Sequence, residues 1–358
     1  MAKATPSKVP PNQEDVARAA QVARSTVSRA LKNDPSIPQA TQERIRRIAL
    51  KLGYRPDPFV AANMHRVRRS EKRRVKAMLA YLTPLPLAEY ALLVPSRLLI
   101  HQAARQQAHE LGFELDPVPL EENGVRLSAR RCTDILRARG VQGIIVAPFE
   151  NPFVRLHLGW DEFAVATIGF SHIHPKFSRA ANNDFFNISL ILRRLHRLGY
   201  HRIGLAIPAR ADRYAEGLFS AAFCLYRDLQ PPRNRVERFI PGHLKEWTKQ
   251  AFLAWYDAHQ PDAIVCINDE VRLWLEERGV KAPDHIGLAH LAWAENKGDW
   301  SGIHQRYERV GAAAVQLVID QLMLNERGAP VYPKSILIDG EWVAGGTVRR
   351  MAFSQARR

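Results

Sequence analysis

The stretch RSTVSRALKNDP occupies residues 24–35. At about 100° per residue, Arg24, Ser25, Ser28, Arg29 and Lys32 share one arc of roughly 140°, and Val27, Ala30 and Leu31 face the other way. One face packs. The other offers cations and small hydroxyls with no carboxylate among them, so it suits an anionic partner that displays hydrogen-bond acceptors. Asn33-Asp34-Pro35 then ends the helix, because proline cannot continue it. Two further amphipathic patterns flank this one. The first opens at Asn12, a good N-cap, and turns Val16 and Ala20 inward. The other runs over 39–52 with Ile45, Ile48, Ala49 and Leu52 inward and Gly53 just past its end as a C-cap. Two short helices across a tight turn, the second with a cationic face, read as a helix-turn-helix.

The charge distribution agrees. Residues 1–76 hold 18 Lys and Arg against 6 Asp and Glu, a net of +12 within a chain total of +16. A basic N-terminal module is therefore joined to a nearly neutral body, which points to nucleic acid. At 358 residues and 46% apolar content the chain suits two or three folded domains. Cys132, Cys224 and Cys266 lie far apart, as free thiols in a reducing compartment do. MAKATPSKVPPNQED has no apolar core of a signal peptide, and no run approaches about 18 apolar residues. The expectation is a cytoplasmic, nucleoid-associated protein with no membrane partner.

Beyond Val75 the pattern alternates. Apolar strand-like runs at 77–82, 143–147, 164–168, 203–207 and 263–267 are separated by helical segments at 95–111, 128–139, 186–198, 213–229, 245–259, 270–278 and 308–326. Short continuous apolar strands between helices predict parallel sheets covered on both faces. About 270 residues of this predicts two α/β lobes with chain crossings between them.

EDVARAAQVARSTVSRALKND followed by TQERIRRIALKLGYRPDP resembles the head-piece of the lac-repressor (LacI/GalR) family of transcription regulators. The runs Asp15-Val16-Ala17, Thr26-Val27-Ser28-Arg29 and Leu52-Gly53-Tyr54-Arg55-Pro56 stand at the family's spacing. LGYHRIGLAIP, PDAIVCINDE and VGAAAVQLVIDQL are similar to the family's effector domain, so the resemblance spans nearly the whole chain. It implies an N-terminal all-α helix-turn-helix head-piece and a two-lobed α/β periplasmic-binding-protein-like body. The corresponding segments are a mobile tail (1–11), the DNA-binding domain (12–56), a hinge helix with a basic linker (57–74), the effector-binding and dimerisation body (75–350) and a C-terminal tail (351–358). Asp57 and Pro58 suit the start of the hinge helix.

By the same resemblance Arg24, Ser25 and Arg29 read bases, and arginine can bond guanine O6 and N7 with both arms. Asn12, Thr26, Ser28, Lys32 and Tyr54 position the backbone phosphates. This chain departs from the family at several places, among them Phe170, where many relatives have Asp, and Tyr214, where they usually have Arg. Gln21 stands where the turn carries Gly, and Ala23 where the cap is Ser. Asn63 stands where a Leu wedges into the minor groove, with Phe59 one turn before it; either Met64 takes that role through a shifted register or the central kink is absent. GLAHL at 287–291 replaces the family's Gly-Phe-Asp-Asp.

For the body, the sequence holds no GxSxG, HExxH, GxxxxGK[ST] or strand-linked GxGxxG motif, so it offers no catalytic constellation, cofactor or metal site. His172 and His174 in SHIHP read as an exposed loop. Asn268-Asp269 follows the run AIVCI, at the end of a strand where α/β sheets hold ligands. In the family an Asp there bonds effector hydroxyls; Asp269 equally suits the N-cap of the helix after it. Phe170, Arg213, Tyr214 and Trp293 complete the candidate effector set. The implied function is a sequence-specific regulator, in the family most often a repressor. It binds a pseudopalindromic operator as a homodimer and is controlled by a small effector, a sugar or related metabolite, between the lobes. The alternatives are a DNA-binding dimer without a ligand switch, a non-regulatory sugar-binding protein and an enzyme with a DNA-binding appendage.

Overall fold

The computed structural model describes residues 13–31, 34–52, 54, 77–150 and 154–351. The expected tail (1–11), the hinge and linker (57–74), and with them Asn12, Lys32, Phe59, Asn63 and Met64, lie outside the described residues.

Three helices, Gln13–Ala20, Arg24–Leu31 and Gln39–Leu52, form the N-terminal unit. Val16, Ala20, Val27, Ala30, Ile45 and Ala49 are buried together, and Leu31, Ile48 and Tyr54 pack on them partly buried. Leu52, expected inward, is 40% exposed. The reason is the next turn: the Tyr54 amide donates to the Ala49 carbonyl at 2.9 Å, and the folded-back ring covers the core instead. Arg44 Nη1 donates to the last carbonyl of the first helix, Ala20 O, at 3.0 Å. Gln42 Nε2 donates to Asp34 O and Ile37 O at 3.0 and 2.9 Å, fixing the chain beyond the second helix. Gln21 in the tight turn has φ +52°, the left-handed region, where a side chain costs about 1–2 kcal/mol. Ala23 O accepts from the amides of Thr26 and Val27 and so opens the second helix, but a methyl group cannot cap it.

The described part of the body has two large sheets besides two short two-stranded ones. The first has six parallel strands in the order Ser335–Ile338, Ser178–Asn182, Ala164–Ile168, Val141–Val146, Ala77–Thr83 and Phe113–Pro119. The second has the parallel strands Ile203–Ala206, Ala263–Cys266, Gly287–Trp293 and Ser301–His304, closed by the antiparallel Glu341–Val343. Buried clusters cover both faces of each sheet, as two-sided parallel sheets require.

The chain passes between these lobes three times: after Asn182, between His304 and Tyr307, and between Ile338 and Glu341. Consequently the helix Tyr307–Leu324 packs in the first lobe although it follows a strand of the second. Buried amides join the crossings. Asn187 Nδ2 donates to Gln305 Oε1 at 2.9 Å, and Asn187 Oδ1 accepts from the Gly340 amide at 2.8 Å. Gln305 Nε2 donates to Leu291 O, and Asn183 Nδ2 to Asp339 Oδ1, both at 2.7 Å.

The expected strands are present, and the differences have local causes. The helix expected over 213–229 is two, Ala209–Tyr214 and Leu218–Asp228, because Glu216 and Gly217 are both left-handed. The Asp212 carboxylate spans the break, accepting from the Ser220 amide and hydroxyl at 3.0 and 2.5 Å. The helix Leu87–Leu93 and the strands Phe113–Pro119, Ser178–Asn182 and Ser335–Ile338 are not among the expected elements; Phe113–Pro119 and Ser178–Asn182 lack a plain apolar run, and Ser335–Ile338 has one of only three residues. SHIHP is not an exposed loop throughout: His172 is buried in the strand His172–His174, 5.5 Å from the Phe177 ring.

Gln21→Gly removes the left-handed strain at the cost of extra unfolded-state freedom, a net gain of about 0.5–1 kcal/mol. Calorimetric unfolding of the full chain should show the head-piece transition move up; no movement would mean that Gln21 is not held at positive φ.

Candidate effector cavity and nucleic-acid interface

On the second helix of the head-piece Arg24, Ser25 and Arg29 are exposed, opposite the buried Val27 and Ala30. Thr26 is half-buried beside them. The face is thus free to meet a ligand and is anchored from behind. Asp34 ends it with an Asx turn, its carboxylate accepting from the Ser36 amide at 2.9 Å; the Ser36 hydroxyl and then that amide hold the carboxyl below its ordinary range. Tyr54 packs its ring on the head-piece core.

In the body both sheets aim their carboxyl ends at one cavity of about 560 Å³ between the lobes. The segments after six strands reach it: Pro148 and Phe149, Gly169 to Ser171, Asp184, Pro208, Ile267 with Asn268, and Gln305. Phe170, Tyr214 and Asn268 of the candidate set line its wall. Asn268 Nδ2 and Trp247 Nε1 both donate to Glu270 Oε2, at 3.3 and 2.8 Å.

The other three candidates lie outside the lining. Arg213 is exposed and turns to Gly242 O at 3.5 Å. Trp293, the last residue of its strand, packs on the far side against His304, with ring centres 5.7 Å apart. Asp269 stands at the N-cap position, yet its side chain caps nothing; Lys297 Nζ holds it at 2.5 Å and His290 Nε2 lies at 3.5 Å. The capping role read from the sequence for Asp269 is therefore not taken up; its carboxylate is held by a cation between the lining residues Asn268 and Glu270.

One residue missed from sequence is Asp184. It opens the helix Asp184–Arg197 immediately behind the crossing at Asn183, lines the cavity and is 9% exposed. It makes no hydrogen bond to a described residue, and burial alone pushes its carboxyl up to about 7. The signal was present in NNDFFN, an acid between a strand and an apolar helix, as in the IND run at 267–269. The preceding strand, SRAAN, does not read as one.

Two contacts straddle the cavity mouth. The Tyr214 hydroxyl of the second lobe donates to Glu150 O of the first. Arg179 of the first lobe, stacked over Phe170 at 5.1 Å, meets Glu216 of the second at 3.5 Å.

Residues 13–57 match the family described as bacterial regulatory proteins, lacI family, and residues 192–348 match the periplasmic binding protein-like domain. The chain belongs to the LacI family of bacterial regulatory proteins. Among curated proteins, this LacI-family chain is 26% identical to the HTH-type transcriptional regulator PtxS of Pseudomonas plecoglossicida, over 86% of this chain and 88% of that one. It is 24% identical to TreR of Salmonella typhimurium, over 75% and 79%. The lac repressor dimer bound to operator and the anti-inducer ONPF shares the fold, with a TM-score of 0.54 and 18% identity, covering 95% of this chain and 100% of that one. The CelR–cellobiose complex does so with 0.53 and 16%, covering 94% and 99%. The family places this chain among DNA-binding transcriptional regulators rather than enzymes.

Because Asp184 holds its proton more tightly folded than unfolded, its contribution to stability is full below the ordinary 3.8 and is lost as pH rises through about 7. Asp184→Asn removes that loss. Its melting temperature should therefore exceed wild type at about pH 8, with the gap closing toward about pH 5. Burial holds the buried His172 near 4, which acts in the opposite direction but equally in both proteins. An offset that is the same at both pH values would contradict a buried, unpartnered carboxylate.

Proposed function

We propose that this LacI-family regulator is a cytoplasmic homodimer that reads a pseudopalindromic operator and represses until a small polyol, a sugar or close relative, occupies the interlobe cavity. Residues 12–56 act as the reading head, 57–74 as hinge and linker, and 75–350 as sensor and dimerisation body. Arg24, Ser25 and Arg29 read base edges; Thr26 and Ser28 stand with Asn12 and Lys32 on the phosphates.

The observation that carries the sensor reading is the Asp184 carboxylate, open to the cavity, without a partner and directly behind a lobe crossing. A buried carboxylate needs donors, and vicinal hydroxyls supply two in fixed geometry. A ligand bonded there pulls on the chain where the lobes are joined, which is how binding reaches the head-pieces. Phe170 offers an apolar wall and Asn268 a second amide. The cavity size suits a mono- or disaccharide. The relatives are consistent with this, CelR having been solved with cellobiose. Exposed leucines on both lobes support the dimer: Leu92, Leu98 and Leu99 on the first, Leu225 and Leu229 on the second.

Binding sites selected by the full-length protein from random duplex DNA should share a two-fold-symmetric motif. Arg29→Ala should weaken the selected site about tenfold or more and relax the sequence at two symmetric positions, with little change in the salt slope. Recovery of no motif, with affinity that follows salt alone, would replace sequence reading by general phosphate binding.

A further inference from the structure

The cavity wall holds a second buried charge that the sugar reading does not use. Arg97, on the first turn of the helix Ser96–Glu110, is 5% exposed and lines the cavity. Its guanidinium lies 4.4 Å over the Tyr90 ring, and the Tyr90 hydroxyl is fixed by donating to Pro148 O at 2.7 Å. Arg97 Nη1 is buried and makes no hydrogen bond to a described residue. The nearest described carboxylate oxygen, Glu150 Oε1, stands 3.9 Å away, beyond hydrogen-bond reach, on a side chain that is half exposed.

Tyr81 Oη and Thr83 Oγ1, two residues apart on the strand Ala77–Thr83 behind the lining, are likewise buried without a described partner. Arg210, from the other lobe, is a second cation on the cavity wall. The helix Ser96–Glu110 has no side-chain cap at its start, so its amide end also favours negative charge. A guanidinium taken out of water with one arm unbonded is costly unless a ligand completes it. Asp184 is not that group: no hydrogen bond or ion pair among the described residues joins it to Arg97.

We propose that the effector carries an acidic group, a carboxylate or a phosphate, that pairs with Arg97 while its hydroxyls are held by Asp184. This rests on the sensor reading and narrows it to polyols with an acid at one end: sugar acids or sugar phosphates. Glu150 is the resident counter-ion that the acid displaces or shares.

The test uses the full-length protein with three matched probe sets: glucose and galactose; gluconate, glucuronate and galacturonate; and glucose 6-phosphate and galactose 6-phosphate. Thermal shift finds the binders and calorimetric titration ranks them. Acids should stabilise wild type where the neutral sugar of the same skeleton does not, and which acid set responds separates carboxylate from phosphate. Arg97→Gln should weaken the responding acid by about tenfold or more, and Arg97→Lys should keep part of the binding. Unliganded Arg97→Gln should melt at or above wild type, because a buried unsatisfied cation has gone; this readout needs no ligand. The proposal is overturned if neutral sugars stabilise as well as acids and Arg97→Gln binds them like wild type. Loss of that neutral-sugar binding in Asp184→Asn would leave the sensor reading standing. A lower melting point for Arg97→Gln with unchanged acid affinity would make Arg97 structural and also overturn it. If no probe of any set shifts wild type, both readings fall.

Discussion

Two lobes that share three chain crossings can move against each other only as those crossings allow, and here two buried amides set the terms. Asn187 is fully buried and Gln305 nearly so, and between them they bond each other, the Gly340 amide and the Leu291 carbonyl. All three crossings are thereby tied into one polar knot. Each lost partner would orphan a buried group at about 1–3 kcal/mol, more than a surface ion pair supplies. A knot of that cost suits a pivot that lobe motion would leave intact. The cavity lies beside that pivot because strands ending at the crossings must also end at the cleft.

Physical legibility differed between the parts of the molecule. The head-piece was readable because its amphipathic faces are short, local and charged on one side only. Val16, Ala20, Val27 and Ala30 needed no tertiary information to be placed inward. Leu52 misled because the helix pattern continues past the point where Tyr54 folds back over the core. In the body, strands such as Ala164–Ile168 announced themselves as unbroken apolar runs buried on both faces. Ser178–Asn182 and Ser335–Ile338 did not, although they pair with each other at one end of the sheet. Ser178 and Asn182 spend their side chains on the chain around the crossing, Ser178 accepting from the Lys334 amide and Asn182 donating to Gln305 O.

That blind spot explains the candidate site. Asp269 and Asp184 hold equivalent places, each an acid between strand and helix, and only the first follows a strand that looks like one. What separates them in space is a cation. Lys297 sits within 2.5 Å of Asp269 and consumes it, whereas nothing comparable reaches Asp184. Sequence spacing cannot report a partner 28 residues away across a loop. Arg213 lies outside the lining for a simpler reason: it stands next to the cavity-lining Tyr214, and one residue of helix phase turns a side chain to the other face.

The same accounting shows why such a body can be switched. Across the cavity mouth the lobes are joined by the Tyr214–Glu150 hydrogen bond and the Arg179–Glu216 pair, whose Glu216 side chain is half exposed. Exposed pairs of this kind are worth about 0–1 kcal/mol, and a neutral hydrogen bond about 0.5–1.5 kcal/mol. The closed and open arrangements thus differ by an amount that a ligand with modest preference for one of them can reverse, and coupling between sites is commonly about 1–3 kcal/mol. A stronger latch would hold the body closed whatever occupied it. The strong bonds are placed at the pivot, where nothing needs to break, and the weak ones at the mouth, where something must. Asp184 sits between the two, close enough to the pivot that a bond formed there is felt by both lobes.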